Sequence, residues 1–144
     1  MKPLLQIHSR DNPLLKSLRQ LIGQNTAYRR QGRIWIEGDH LARSAIGHGL
    51  RPTLALVGQS FSAQEIPRWQ GEVGQVVVVP DALLSELSTL ESPAPVGFVV
   101  DLSPPAPLAG NCPTVVLDRL QDAGNVGAVL RSAAAFGFAQ VIAL

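Results

Sequence analysis

Asn125 and Arg131 lie six residues apart in a segment, residues 117–137, that reads Leu-Asp-Arg-Leu-Gln-Asp-Ala-Gly-Asn-Val-Gly-Ala-Val-Leu-Arg-Ser-Ala-Ala-Ala-Phe-Gly. An arginine keeps its charge at any physiological pH, so Arg131 is suited to holding a phosphate and unsuited to acting as a base. Two glycines, Gly124 and Gly127, stand between the apolar run Thr114–Leu117 and the helix-forming residues that follow. Glycines after a strand can cradle a pyrophosphate at a helix N-terminus. Here the spacing is Gly-x-x-Gly rather than the three-glycine dinucleotide fingerprint, and no acidic ribose partner follows before Leu144. Taken alone, Arg131 also reads as a solvated helix arginine. A second group with chemical potential is Tyr28-Arg29-Arg30-Gln31-Gly32-Arg33, with Lys16 and Arg19 upstream. Three guanidiniums can grip phosphates bidentately, and a neighbouring ring can stack on an unpaired base. The plainer alternative is a loop that is merely basic, with Tyr28 packed on a helix.

These residues need elements to position them. Thr114–Leu117 reads as a buried parallel strand, with Asn125 as the helix N-cap, Gly137 as a left-handed stop and 138–144 as a second strand. The unit is strand, helix, strand, the parallel crossover of an α/β fold. Upstream, Asn12-Pro13 predicts a helix start, with Leu14, Leu18, Leu21 and Ile22 on one face, ended by Gly23 and Asn25. Ile34–Ile36 is a short strand closing at Glu37-Gly38. Asp39 is expected to cap a helix with Leu41, Ala45 and Ile46 facing inward, stopped by Gly47 and Gly49. Further strands are expected at 53–57, 75–79 and 96–102. Ser62-Ala63-Gln64-Glu65 has capping-box spacing ahead of Pro67, and Asp81 is expected to cap a helix bearing Leu83, Leu84 and Leu87. Alternating strands and helices give a compact α/β domain over 1–103 with a mainly parallel sheet. Pro104-Pro105-Ala106-Pro107 marks a stiff linker over 104–112, and 113–144 begins a second domain.

Composition narrows the class. Nearly half of the 144 residues are hydrophobic, which suffices for a core. The single cysteine, Cys112, excludes an internal disulfide and a cysteine cluster, and three scattered histidines argue against a zinc site. The N-terminus lacks the apolar run of a signal peptide, and no stretch is long enough to span a bilayer, so the cytoplasm is the default. The net charge of +1 hides an asymmetry: residues 1–51 carry a balance of +6 and residues 52–144 a balance of −5. Such a split points to a polyanion partner for the basic part, or to a solvated surface with no partner.

The segment 117–137, with Asn125 and Arg131 in register, resembles the first motif of the SpoU/TrmH family of RNA ribose 2′-O-methyltransferases in the knotted SPOUT superfamily. Upstream, Ser9-Arg10-Asp11-Asn12-Pro13-Leu14-Leu15-Lys16, Glu37-Gly38-Asp39-His40-Leu41, and Ser88-Thr89-Leu90-Glu91-Ser92-Pro93 with Gly97 look like that family's substrate-binding domain. The resemblance is dense from Val115 to Gly137 and patchy before it.

The resemblance implies a ribosomal-protein-like α/β substrate-binding domain followed by the first strand-helix-strand of a knotted methyltransferase domain. It implies transfer of a methyl group from S-adenosylmethionine to a ribose 2′-hydroxyl, with Arg131 at the ribose and Asn125 organising the same corner. Holding the flanking phosphate and stabilising the developing alkoxide suits a guanidinium. RNA contacts are then expected at Lys16, Arg19, Tyr28, Arg29, Arg30 and Arg33, ribosomal RNA being favoured over transfer RNA. In the family a glycine/glutamate loop and a serine/asparagine loop hold the methyl donor and the knotted domain builds a homodimer. Both loops are expected beyond Leu144, so the fragment itself is expected to bind RNA without binding or using the cofactor. Apolar faces at Val115, Leu117, Val129, Leu130, Val141 and Ile142 are then left for self-association. The alternatives are a stand-alone RNA-binding module without catalysis and a nucleotide-binding α/β domain.

Overall fold

The computed structural model describes residues 4–144, so Lys2, counted above in the basic part, lies outside the described residues. The chain divides between Ser103 and Pro104 into two compact units.

The first unit runs β1 (Leu5–Gln6), α1 (Pro13–Gly23), α2 (Ala27–Gln31), β2 (Arg33–Glu37), α3 (Asp39–Gly47), β3 (Pro52–Gly58), α4 (Ser62–Trp69), β4 (Val76–Val79), α5 (Asp81–Ser85) and β5 (Val96–Asp101). The sheet order is β1-β4-β3-β5-β2. β1, β4 and β3 pair in parallel, while β3–β5 and β5–β2 are antiparallel. The sheet is therefore mixed, not mainly parallel: β5 alone opposes the other four strands, and its place between β3 and β2 makes half the pairings antiparallel. The two-residue β1 adds a strand that short-range patterning does not reveal.

One face of the sheet packs Leu15, Leu18 and Leu21 of α1 and Leu84 and Leu87 against Leu54, Leu56, Val77 and Val99. The other face buries Trp69 and Ala42 against Val57, Val96 and Phe98, with the Trp69 and Phe98 rings edge-to-face at 4.6 Å between centroids. All four residues of β4 are buried, as expected for a strand covered on both faces.

Several local expectations change. Asn12 caps α1, accepting from the Leu14 amide at 2.9 Å, with Pro13 in the first turn. Asp39 is not a cap: Gly38, at φ +86°, precedes the helix, and Asp39 instead pairs with Arg43 at 2.6 Å. Ala42 faces the core in place of Leu41, which is 53% exposed. Ser62 to Glu65 is not a capping box. Glu65 is drawn inward to accept from the Trp69 indole at 2.7 Å and from Arg68 at 3.1 Å. Asp81 follows the cap position, and its carboxylate takes the Ser60 amide and hydroxyl.

The second unit holds β6 (Thr114–Leu117), α6 (Ala123–Ala135) and β7 (Gln140–Ala143), with β6 and β7 paired in parallel. Residues 102–109 carry no regular structure. β6 is not a buried strand, for Val116 is 55% exposed; only Leu117 and Ala133 of this unit are buried. Two strands and one helix leave each other's far faces uncovered.

Candidate functional site

In the second unit the chain leaves β6 through Arg119, whose φ of +52° is unusual for a residue bearing a side chain. Asp118 and Arg119 form an exposed ion pair there at 3.0 Å. Asp122 then caps α6, its carboxylate accepting from the Asn125 amide at 2.6 Å. Asn125 is therefore the third helical residue and not the N-cap. A carboxylate three residues earlier, in extended backbone, outcompetes a neutral amide because its charge also complements the helix dipole. This leaves the Asn125 side chain exposed in the first turn. The Asp-x-x-Asn spacing is the sequence signal for the true cap.

Arg131 lies two turns further on and is exposed. A Cβ built on Gly127 would stand 3.1 Å from Arg131 Nη1. The guanidinium therefore runs back over Gly127 towards the helix N-terminus, the direction in which helical side chains lean. Gly127 and Gly124 do not serve a left-handed turn, since neither has positive φ; that role falls to Gly137 at +77°. The absent side chain at Gly127 is what the Arg131 head occupies. Asn125 stands exposed in the first turn of α6, and the Arg131 guanidinium reaches back as far as Gly127.

In the first unit, Tyr28, Arg29 and Arg30 stand on the five-residue helix α2 and not on a loop, while Arg33 opens β2. Arg29 lies over the Tyr28 ring at 5.6 Å and donates from Nε to its hydroxyl at 2.9 Å. Arg30 donates to the Gln24 side chain at 3.2 Å. Arg33 is held more firmly: it donates to Ser17 Oγ at 2.7 Å and twice to Gln31 Oε1, at 2.9 and 3.0 Å, tying α1 to β2. Lys16 pairs with Asp11 at 3.1 Å, and the Lys16 ammonium holds the Asp11 carboxyl below the usual carboxylate range. Arg19 donates to the Arg10 carbonyl at 2.7 Å and lies 3.8 Å from Glu86. Of the six expected RNA contacts, Lys16 and Arg19 lie against carboxylates and Arg33 makes three hydrogen bonds, whereas Arg29 and Arg30 make one each, to Tyr28 and Gln24. Arg29 and Arg30 are exposed and have no carboxylate partner among the described residues.

Two short motifs far apart in sequence meet in the same unit. Glu37 accepts from Ser88 Oγ at 2.6 Å and from the Thr89 amide at 2.8 Å. Nearby, a Cβ on Gly97 would run into the Trp35 ring, so that glycine is required by close packing. Among the described residues no three His, Cys, Asp or Glu side chains gather as a metal site would need, and no helix is long and apolar enough to cross a membrane.

No family model matches the chain. An uncharacterized tRNA/rRNA methyltransferase of Synechocystis sp. is 31% identical over 145 residues, spanning 93% of this chain and 50% of that protein. Ribosomal RNA small subunit methyltransferase G 2 of Syntrophobacter fumaroxidans is 30% identical over 146 residues, spanning 96% of this chain and 28% of that protein. Among solved structures, the SpoU methyltransferase AviRb from Streptomyces viridochromogenes, in complex with the cofactor AdoMet, superposes with a TM-score of 0.74 at 27% identity, over 92% of this chain and 52% of that one. An RNA 2′-O ribose methyltransferase gives a TM-score of 0.70 at 27% identity, over 96% and 55%. The chain spans half the length or less of the curated relatives it matches. The curated relatives are named as RNA methyltransferases, the AviRb structure is that of a SpoU methyltransferase, and AdoMet is the cofactor bound in that complex.

Proposed function

We propose that this chain provides the RNA-binding domain and the first catalytic crossover of an S-adenosylmethionine-dependent enzyme that methylates a ribose 2′-hydroxyl, ribosomal RNA being its substrate in the cytoplasm. The first unit is then the ribosomal-protein-like substrate domain, 104–112 the linker, and 113–144 the opening of a knotted, dimer-forming methyltransferase domain. The observation that carries this reading is the first half of α6, where Asn125 stands exposed in the first turn and the Arg131 guanidinium reaches back over Gly127.

The residues present do not fit the methyl donor. The hollow beside α6, about 330 Å³, is apolar and wide open, lined by Val115, Val129, Phe136 and Phe138 with Ser132 as its only hydroxyl. It offers no convergent polar groups for an adenosine or an amino-acid head. What these residues can do is hold the RNA. Arg131 would grip the phosphate beside the target ribose and offset negative charge growing on its 2′-oxygen, while remaining protonated throughout. Asn125 would orient the sugar by hydrogen bonding from the first turn. Arg29 and Arg30 would hold phosphates remote from the reacting atom.

The test is methylation of ribosomal RNA by the full-length gene product, with 2′-O-methyl nucleosides quantified by mass spectrometry after complete digestion. Arg131→Ala and Arg131→Lys should both lose most activity, since a point charge does not replace a planar fork. Normal activity of either variant would remove Arg131 from the ribose. A second reading, an RNA-binding module without catalysis, is favoured by the first unit having both of its sheet faces covered by its own helices. RNA binding with no methyl transfer by the full-length protein would select it.

A further inference from the structure

The sheet of the first unit ends on β2, which pairs with β5 on one side only. The bonds that continue this ladder, from the Leu102 amide to the Gly32 carbonyl and from the Gly38 amide to the Val96 carbonyl, fix its parity. The backbone groups of Ile34 and Ile36 therefore face β5, and those of Arg33, Trp35 and Glu37 face outward. Neither the N–H nor the C=O of these three residues has a partner among the described residues. The edge is not blunted: β2 holds no proline, keeps an unbroken register with β5, and all five of its residues are only half-buried. A pocket of about 250 Å³ lies alongside, lined by Leu21, Ile22, Tyr28 and Thr89 together with both Ile34 and Trp35. Those last two side chains stand on opposite faces of the sheet, so the pocket opens at its edge.

The edge reads Arg33-Ile34-Trp35-Ile36-Glu37, with opposite charges placed symmetrically about Trp35. The Arg33 guanidinium donates only to the neutral Ser17 and Gln31, and the Glu37 carboxylate accepts only from Ser88 and Thr89. Neither forms an ion pair among the described residues. We propose that two copies of this chain pair through β2, antiparallel and in register about Trp35. A twofold axis there sets Trp35 against itself and Arg33 against Glu37 of the second copy. Every outward N–H and C=O then meets its complement, as in strand addition to an open edge. Each charge also gains its opposite directly across the ladder, with Cβ atoms about 4.5–5.5 Å apart. Parallel pairing would instead oppose like charges. An uncharged strand from another protein would leave Arg33 and Glu37 unanswered, so a second copy is the occupant that this edge matches. The contact is separate from the dimer proposed for the knotted domain and rests on neither the RNA nor the methylation reading.

The experiment follows the 144-residue chain by sedimentation equilibrium over a concentration series, with amide exchange measured residue by residue at both ends of it. The mass should rise towards twice that of one chain. The Arg33, Trp35 and Glu37 amides should slow about tenfold or more as the dimer forms, while those of Ile34 and Ile36, already bonded to β5, change less. Arg33→Glu and Glu37→Arg each set like charges across the ladder and should weaken the dimer about tenfold. An equal mixture of the two variants should restore it, because each then faces its opposite. A chain that stays monomeric throughout would overturn the proposal, and so would a dimer whose outward β2 amides exchange at the monomer's rate. Failure of the mixture to pair, with both variants folded by circular dichroism, would overturn the register. Exchange in the unaltered chain decides the matter even where a charge variant does not fold.

Discussion

The Glu37 carboxylate receives the Thr89 amide at 2.8 Å and the Thr89 hydroxyl at 3.2 Å, across 52 residues of sequence. With Ser88 Oγ on its second oxygen, one side chain ties the end of β2 to the segment after α5. Thr89 also lines the pocket beside Tyr28 and Trp35, so this latch sets one wall of it. Glu37→Ala should destabilise the first unit by about 1.5–3 kcal/mol, the range for hydrogen bonds to a charged group. Thermal unfolding followed by circular dichroism checks this; an unchanged transition would mean that solvent replaces the carboxylate without loss.

Arg29 and Arg30 should behave differently from Arg33. Removing one phosphate-binding cation should reduce the slope of log affinity against log salt by roughly 0.7–0.9. Arg29→Ala and Arg30→Ala are expected to lower the slope with the melting transition unmoved. Arg33→Ala should instead lower stability, because Ser17 Oγ and Gln31 Oε1 both lose hydrogen bonds from its guanidinium. Salt titrations paired with melts separate the two groups, and a slope that ignores Arg29 and Arg30 would exclude α2 from the interface.

Gly127→Ala sets helix propensity against the position of Arg131. Alanine is favoured over glycine by up to about 1 kcal/mol inside a helix. The new methyl would stand 3.1 Å from Arg131 Nη1, which a flexible head can escape by turning away. Helix content should therefore hold or rise while methylation by the full-length protein falls. Retained activity would show that the guanidinium need not lie over Gly127.

Ala123 is the first residue of α6, and Asp122 before it has φ −83° and ψ 115°, a conformation compatible with a following proline. Ala123→Pro should stabilise the helix by about 0.4–1 kcal/mol, chiefly by restricting the unfolded chain. Amide exchange along α6 should slow by the corresponding factor of roughly two to five. Faster exchange would place strain at the cap.

Strong, local signals are legible in the sequence. Asn12-Pro13 starts α1, Gly137 ends α6 in left-handed backbone, and the valines of β4 form a strand buried on both faces. What stays hidden depends on partners distant in the chain. α2 has five residues, too few for a helical period, so Tyr28 to Gln31 reads as a loop. Glu65 has capping-box spacing but answers to the Trp69 indole, which only tertiary packing brings to it. The antiparallel insertion of β5 cannot be inferred from an apolar strand pattern, because parallel and antiparallel central strands have similar composition. At the candidate site Arg131 is legible as a residue, but its path over Gly127 requires backbone geometry, and Asn125 is displaced from the cap by a better acceptor at Asp122.

The second unit buries only Leu117 and Ala133, whereas the first buries both faces of a five-stranded sheet. A chain built this way has no single melting temperature. Heat or denaturant should register a cooperative step from the sheet of the first unit. The β6 and β7 amides should exchange with deuterium through frequent local openings, on a much faster clock than those of β3 and β4. A protease should meet the same hierarchy, cutting first after Ser103 and sparing the sheet. The corner that carries Asn125 and Arg131 thus belongs to the least protected part of the molecule, and whatever covers β6, α6 and β7 governs how long that corner keeps its shape.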